Sequence, residues 1–379
     1  MLDPELVALR HKARAYATEH VAPQAARWES EGKIPRAVAQ DLGGLGFLGM
    51  LTTKAWGGRE SGYLAFALVL EELAAGDGAL STLVSINNGI GPLPIQDFGT
   101  DAQKRRWLAD LSAGRALAAF ALSEPQAGSD AAALTARAER QGKDGWRLNG
   151  TKAFITLGAS ADLVVVFAVT DPAAGKKGLS AFIVPTATPG YRVVSNPPKL
   201  GQRSSDTCTI AFEDMDLPAD ALLGGEGQGY GIALSILESG RIGIAAQCLG
   251  LARAALDAAR TYAKERQAFG KAIADHQAVA FRLADMATEL EAARALVHHA
   301  ARLKDSGASA LKEASMAKLF ASEMVERVAS AAIQVHGGYG YMEDLPLARI
   351  YRDSRACQIY EGTSDIQRMV IARAVLAED

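Results

Sequence analysis

The chain has 379 residues, 49% of them apolar and 22% charged, so it can bury two or three hydrophobic cores of ordinary domain size. Its formal charge of −3 and pI near 6.1 supply no general basic field, which argues against nucleic acid as a partner. Three cysteines, Cys208, Cys248 and Cys357, are odd in number, widely separated and free of CxxC spacing, which argues against a disulfide framework or a structural zinc site; no metal is expected.

The first residues, Met-Leu-Asp-Pro-Glu, carry neither the charged and apolar segments of a secretory signal nor an Arg-rich presequence. No apolar stretch is expected to reach bilayer-spanning length, and the expected location is cytoplasmic, without membrane insertion. Asp3 as N-cap, Pro4 at the first helical position and Glu5 in the first turn predict a helix start. Leu2, Leu6, Leu9, Ala13 and Tyr16 then recur at helical spacing, and a second such run extends from Gly62 through Leu73. Residues 1–116 therefore read as a helical domain. Between Leu117 and Leu223 the texture changes to short β-branched runs such as Leu163 to Val169 and Leu179 to Val184, separated by Asp171-Pro172 and Gly175. Residues 117–225 read as a β domain. Helical periodicity returns in residues 226–379, with one stripe through Leu283, Met286, Leu290, Ala293 and Val297 and another through Ala317, Ala321, Met324, Val328, Ala331 and Val335. The fold class is thus α+β and multidomain, and the order of elements does not alternate as βαβ units do.

Three stretches carry candidate chemistry. The run Gly224, Gly225, Gly227, Gly229, Gly231 has GxGxGxG spacing and no βαβ surround, so it reads as a joint leading into a helix. The cluster from Gln334 to Gly340 ends an amphipathic helix, where its glycines either cap the helix or let backbone N–H groups approach a phosphate. In Ile359-Tyr360-Glu361-Gly362-Thr363-Ser364, the capping-box spacing of Ser364 and Gln367 predicts a helix starting at Asp365, with Glu361 in the turn before it. Glu361 is either a solvated charge near a helix N-terminus or a carboxylate whose bulky neighbours Tyr360 and Ile359 desolvate it toward the range of a working base. Glu238 and Arg241, three apart in an apolar helix, form either a surface ion pair or a pair projecting into a ligand cleft.

Together these residues resemble the acyl-CoA dehydrogenases, and the resemblance covers essentially the whole chain. The matching motifs run from Ala119 to Asp130 (AFALSEPQAGSD), Asn149 to Thr156 (NGTKAFIT), Gly201 to Thr207 (GQRSSDT) and Glu265 to Gly270 (ERQAFG). They continue through His276-Gln277, the Gln334 to Gly340 loop and Tyr360 to Ser364. The resemblance implies an N-terminal helical domain, a central β-barrel-like domain and a C-terminal four-helix bundle. It also implies FAD as cofactor, with the flavin ring contacted by Phe120, Leu122, Ser123, Phe154 and Thr156. Arg266, Phe269, Gln277 and the loop residues Gln334, Val335, Gly337 and Gly338 correspond to positions reaching the FAD of a neighbouring subunit, so a homotetramer is implied. Thr363 and Asp365 match further cofactor contacts; Ser129, Glu238, Arg241 and Gly362 match positions along the CoA thioester path.

By the same resemblance, Glu361 removes the α-proton of an acyl-CoA while the β-hydride passes to the flavin, giving a trans-2-enoyl-CoA. Electrons would then go to an electron-transferring flavoprotein. Some relatives carry their base at the position matching Gly240, which here has no side chain, so Glu361 is the remaining candidate. Phe154 stands where tryptophan is common, Leu157 where asparagine is frequent and Glu238 where aspartate is usual; these touch substrate detail more than reaction class. No cation near Ser81 is available for a second carboxylate, which disfavours a decarboxylating, glutaryl-type role. The Ser85-Ile86-Asn87-Asn88 run looks most like short-chain and short branched-chain members. Two alternatives are a flavin acyl-CoA oxidase and a non-catalytic CoA-binding scaffold.

Overall fold

The computed structural model describes residues 2–142 and 145–377; Met1, Lys143, Asp144, Glu378 and Asp379 lie outside the described residues. The N-terminal part is helical: α1 (Pro4–Tyr16), α2 (Ala25–Glu31), α3 (Arg36–Leu45), α4 (Tyr63–Gly76), α5 (Gly78–Asn88), α6 (Pro92–Phe98) and α7 (Asp101–Ser112). Asp3 caps α1 as predicted, its carboxylate accepting from the Glu5 N–H at 2.8 Å. The predicted stripe packs inward, with Ala13 fully buried and Leu2, Leu6, Leu9 and Tyr16 against the core.

Among the described residues, eight strands form the central sheet: β1 (Ala118–Ala121), β2 (Arg137–Gln141), β3 (Gly145–Thr156), β4 (Leu163–Val169), β5 (Leu179–Pro185), β6 (Tyr191–Ser195), β7 (Thr207–Pro218) and β8 (Leu222–Leu223). Their order is β6-β7-β3-β2-β4-β5-β8, with β1 parallel to β4 off that path. The long β3–β7 pairing breaks register between Leu148 and Gly150 and again between Lys152 and Ile155. The second irregularity decides where Phe154 points. Ala153 and Ile155 are both buried, whereas Phe154, at φ +60°, is turned out and 76% exposed.

The C-terminal part contains α8 (Gly229–Glu265), a short hairpin of β9 (Gln267–Ala268) and β10 (Lys271–Ala272), α9 (Gln277–Asp305), α10 (Leu311–His336), α11 (Pro346–Ser354) and α12 (Ser364–Val375). Helix α8 is the axis of the molecule, packing on α4, α5, α9, α10 and α11. At 37 residues it is long and apolar enough to cross a bilayer, contrary to the sequence expectation. Its most apolar window is 78% buried within the protein, as the core helix of a bundle must be. Small side chains such as Ala245, Ala246, Ala252, Ala255 and Ala259, all buried, let neighbouring helices close on it.

Buried charge joins the parts. Glu72, on the inner face of α4, accepts from Arg14 of α1 at 2.8 Å and from Arg253 of α8 at 2.5 Å, while Glu71 pairs with Arg294 of α9 at 2.7 Å. In the sheet domain, Lys152 and Glu124 form a solvent-free pair at 2.8 Å. Burial alone would raise Glu124, but Lys152 and the N–H groups of Thr135 and Ala136 hold it down at about 2. Removing one partner strands the other charge in the interior, a cost of about 3–5 kcal/mol. Lys152→Met is therefore expected to lower stability by that amount in denaturant unfolding. Lys152→Met combined with Glu124→Gln is expected to recover most of the loss; a single variant as stable as the wild type would contradict the pairing.

Candidate active site

Glu361 ends a turn that three elements enclose. Its backbone has φ +51° and the next residue, Gly362, has φ +91°, so the chain makes two left-handed steps before α12. A non-glycine residue in that region costs about 1–3 kcal/mol and persists only where its surroundings enforce it. The enforcement is visible. Gln367 is buried and its Nε2 donates to the carbonyls of Glu361 at 3.3 Å and Gly362 at 2.9 Å. Lys318 of α10 donates to the same Gly362 carbonyl at 2.7 Å. Thr363, not Ser364, caps α12, accepting from the Ile366 N–H at 3.3 Å. The cap thus sits one residue earlier than predicted and the capping box does not form, because Gln367 is drawn inward to the turn instead of reaching back to a Ser364 cap.

The Glu361 carboxylate lies against α8. Its Oε2 is closed to solvent and has no hydrogen-bond partner among the described residues. A Cβ placed on Gly240 would collide with that oxygen, so the bare backbone of Gly240 makes the space the carboxylate occupies. Burial pushes the Glu361 carboxyl up to about 7, against the opposing pull of Lys318 and Arg241. The desolvation does not come from Ile359, which is 56% exposed and faces outward. It comes from the α8–α10 seam. No backbone acceptor among the described residues takes the Glu361 N–H.

Tyr360 supports the turn from below. Its hydroxyl donates to Gln247 Oε1 of α8 at 2.5 Å and accepts from Gln202 Nε2 at 3.2 Å. Gln202 and Gln247 both bond Thr82 of α5, at 2.7 and 2.8 Å. The Tyr360 phenol is thereby tied to two helices and a loop of the sheet domain.

Glu238 and Arg241 do not pair with each other. Glu238 accepts from Lys304 of α9 at 2.9 Å and from the Ala310 N–H at 3.4 Å, while Arg241, buried, donates to Ser315 of α10 at 3.1 Å. Spacing along α8 put them on one face, but α9 and α10 each present a closer partner. Arg241 Nε has no partner among the described residues, and the guanidinium faces Glu361 electrostatically.

The remaining predicted residues fall in two groups. In the sheet domain, the Ala153 N–H donates to the Ser123 carbonyl at 3.0 Å and Lys152 to the Leu122 carbonyl at 3.1 Å. These bonds bring the segment of Phe120, Leu122 and Ser123 beside that of Phe154 and Thr156. Phe120 packs on Phe167 with ring centroids 4.9 Å apart. Ser129 follows the first of these segments on an exposed bend.

At the end of α8 and α10, a cavity of about 560 Å³ is lined by Arg266, Gln334, Val335, Gly337 and Gly338, with Tyr262, Tyr339 and Met342. Arg266 lies over the Tyr339 ring at 5.8 Å, and a Cβ on Gly337 or Gly338 would meet nothing within 4 Å. The β9–β10 hairpin carries Phe269, 95% exposed at φ +51°, and Gln277 opens α9 beyond it. Asp365 is exposed in the first turn of α12, 3.5 Å from Arg368. Of seven non-glycine residues with positive φ among the described residues, three are predicted site residues: Phe154, Phe269 and Glu361. Strain concentrated there points to function more than to loop tolerance.

Lys318 and Gln247 carry no role in the sequence reading, which has Gln202 only inside the Gly201 to Thr207 motif and Gln367 only as a capping-box partner of Ser364. A signal existed for Lys318. It stands four residues after Ala314 and three before Ala321, a cation on the buried stripe of a helix.

Comparisons with known proteins identify the family. The acyl-CoA dehydrogenase N-terminal, middle and C-terminal domain families match residues 3–115, 119–215 and 227–376. The mitochondrial short-chain specific acyl-CoA dehydrogenase of Bos taurus is 45% identical over 97% of this chain and 89% of its own length. Butyryl-CoA dehydrogenase from Megasphaera elsdenii superposes with TM-score 0.97 at 39% identity, covering 99% of both chains. A chain in a structure described as the electron transferring flavoprotein of Acidaminococcus fermentans does so with TM-score 0.97 at 41% identity, covering 100% of this chain and 99% of that one. The chain is an oxidoreductase that belongs to the acyl-CoA dehydrogenase family.

Proposed function

We propose that the protein is an FAD-dependent dehydrogenase of short straight or branched acyl-CoA thioesters, with Glu361 as the base that takes the α-proton. The observation that carries this reading is the Glu361 carboxylate: a buried, unpartnered oxygen against a helix glycine, raised to about 7 by desolvation. A carboxylate placed so has no structural work to do, and its affinity for a proton suits removal of a weakly acidic α-hydrogen near neutral pH. The unclaimed Glu361 N–H is available to an oxygen on which negative charge develops, the thioester carbonyl.

FAD fits the residues present. Phe154 offers an exposed apolar face beside the hydroxyls of Ser123 and Thr156, as an amphipathic ring requires, with Phe120 and Leu122 behind them. Arg266 and the open backbone at Gly337 and Gly338 supply a cation and donors for pyrophosphate, with Gln334 and Val335 on the wall of the same cavity, and Gln277 at the start of α9 is a further donor. Thr363 and Asp365 lie at the start of the last helix, where further cofactor contacts are proposed. Bound FAD supplies the acceptor for the β-hydride. Ser129, Glu238, Arg241 and Gly362 are proposed along the thioester path, Glu238 acting while held by Lys304. The exposed Phe269 supports a homotetramer in which it meets a neighbouring subunit's cofactor. Relatives named for short-chain and butyryl-CoA substrates support the chain-length reading. The resemblance to a chain from an electron transferring flavoprotein structure supports that class of protein as electron acceptor. A cytoplasmic location remains part of the proposal.

Glu361→Gln is expected to keep FAD bound and to slow anaerobic flavin bleaching by butyryl-CoA at least roughly a thousandfold; near-normal bleaching would remove Glu361 as the base. Because the base acts ionised and its acid form persists up to about 7, the bleaching rate is expected to rise with pH and level off above that value. A flat profile between roughly pH 5 and 8 would contradict it. Gly240→Ala is expected to displace the carboxylate and cut turnover by about a hundredfold. Helix propensity favours the alanine, so melting temperature and FAD content should hold; unchanged turnover would show that the two groups do not meet.

A further inference from the structure

Lys318 is fully buried in the middle of α10, where an apolar residue would pack at lower cost. Its Nζ makes one hydrogen bond, to the Gly362 carbonyl at 2.7 Å, and no carboxylate lies within ion-pair distance of it among the described residues. An ammonium with one neutral acceptor is poorly compensated as a structural element. The charged and titratable groups that face it are few: Arg241 and Cys248 from α8, Cys357 from the turn after α11, and Glu361 from the turn before α12. Glu361 is the one carboxylate among them. Arg241, the other cation facing Glu361, is shared with Glu238, whereas Lys318, beside the Cys248 and Cys357 thiols, faces no other carboxylate among the described residues.

The placement is specific. The carbonyl that Lys318 holds belongs to the residue after Glu361, within the two left-handed steps that aim the carboxylate at Gly240. Gln367 donates to that same carbonyl from α12, so the turn has one neutral clamp and one charged clamp. A neutral pair of donors would serve geometry equally well. What the ammonium adds is a positive potential beside an acid that has one buried oxygen without a hydrogen bond.

We propose that Lys318 is a positioning residue for the catalytic turn, fixing the Gly362 carbonyl and favouring the ionised form of the neighbouring Glu361. The assignment rests on Glu361 being the base. Without Lys318, desolvation of that carboxyl is opposed by Arg241 alone, and its proton is held to higher pH. The base would then be present in its working form over a narrower range.

The test uses full-length protein loaded with FAD. Ionisation of Glu361 is followed without substrate, from the carboxyl stretch in the infrared difference between each protein and its Glu361→Gln counterpart. Bleaching by butyryl-CoA is measured across the same pH series. In Lys318→Met the infrared midpoint is expected to move up by about one unit or more, and the acid limb of the bleaching profile to move with it. Gln367→Leu, which removes the neutral clamp, is expected to lower the rate without moving the midpoint. If Lys318→Met does not fold, Lys318→Gln, which retains a donor and drops the charge, must show the same upward shift. A midpoint that stays in place in the folded Lys318 variant, with any rate loss independent of pH, would reduce Lys318 to a structural staple and overturn the inference. Should Glu361→Gln bleach normally, the base assignment itself falls; should it be inactive while the Lys318 midpoint stays fixed, only the present inference falls.

Discussion

A carboxylate oxygen held out of water without a hydrogen bond is a liability unless something later claims it, and Glu361 Oε2 is in that position. Everything around it keeps the liability in place. Gly240 vacates the space, the left-handed turn aims the side chain at it, and Gln367 and Lys318 hold the turn from two helices. Tyr360, one residue earlier, is locked by Gln247 and Gln202. The strain in the backbone and the missing bond at the oxygen are therefore two aspects of one arrangement: the fold holds a proton acceptor in a desolvated place and leaves its partner to be supplied.

The same logic orders the wider molecule. Helix α8 contributes the glycine beneath the base, the Arg241 guanidinium beside it, the Gln247 amide under Tyr360 and, just past its far end, Arg266 on the cavity wall. One rigid core helix thus spans both regions where the proposed ligands meet the protein. The sheet domain is attached through separate contacts, among them Gln202 on Tyr360, and it presents Phe154 through a break in strand register. Inside it, the buried Lys152–Glu124 pair holds the carbonyl of Leu122 through the Lys152 ammonium.

Much of this was legible in the residues. Helical stripes such as Leu283, Met286, Leu290, Ala293 and Val297 announce buried faces because one periodicity dominates them, and the cap at Asp3 needs only local chemistry. The failures share a cause, competition from elements remote in sequence. Lys304 and Ser315 take Glu238 and Arg241 away from each other; the turn takes Gln367 away from a Ser364 cap; Ile359 faces outward although its composition suggested a desolvating wall. Phe120 to Ser123 and Phe154 to Thr156 become neighbours only through the sheet, so spacing alone joins them to nothing; the family resemblance singled them out. Lys318 was readable as an anomaly on an apolar stripe, but its partner, a backbone carbonyl 44 residues on, was not.

The most direct measurement is a crystal structure of the FAD-loaded protein with a bound, non-reacting short acyl-CoA analogue. A Glu361 carboxylate oxygen is expected within about 3–3.5 Å of the thioester α-carbon, with the flavin ring across the acyl chain from it. A carboxylate turned to bulk solvent, or a thioester seated away from the Gly240–Glu361 seam, would contradict it.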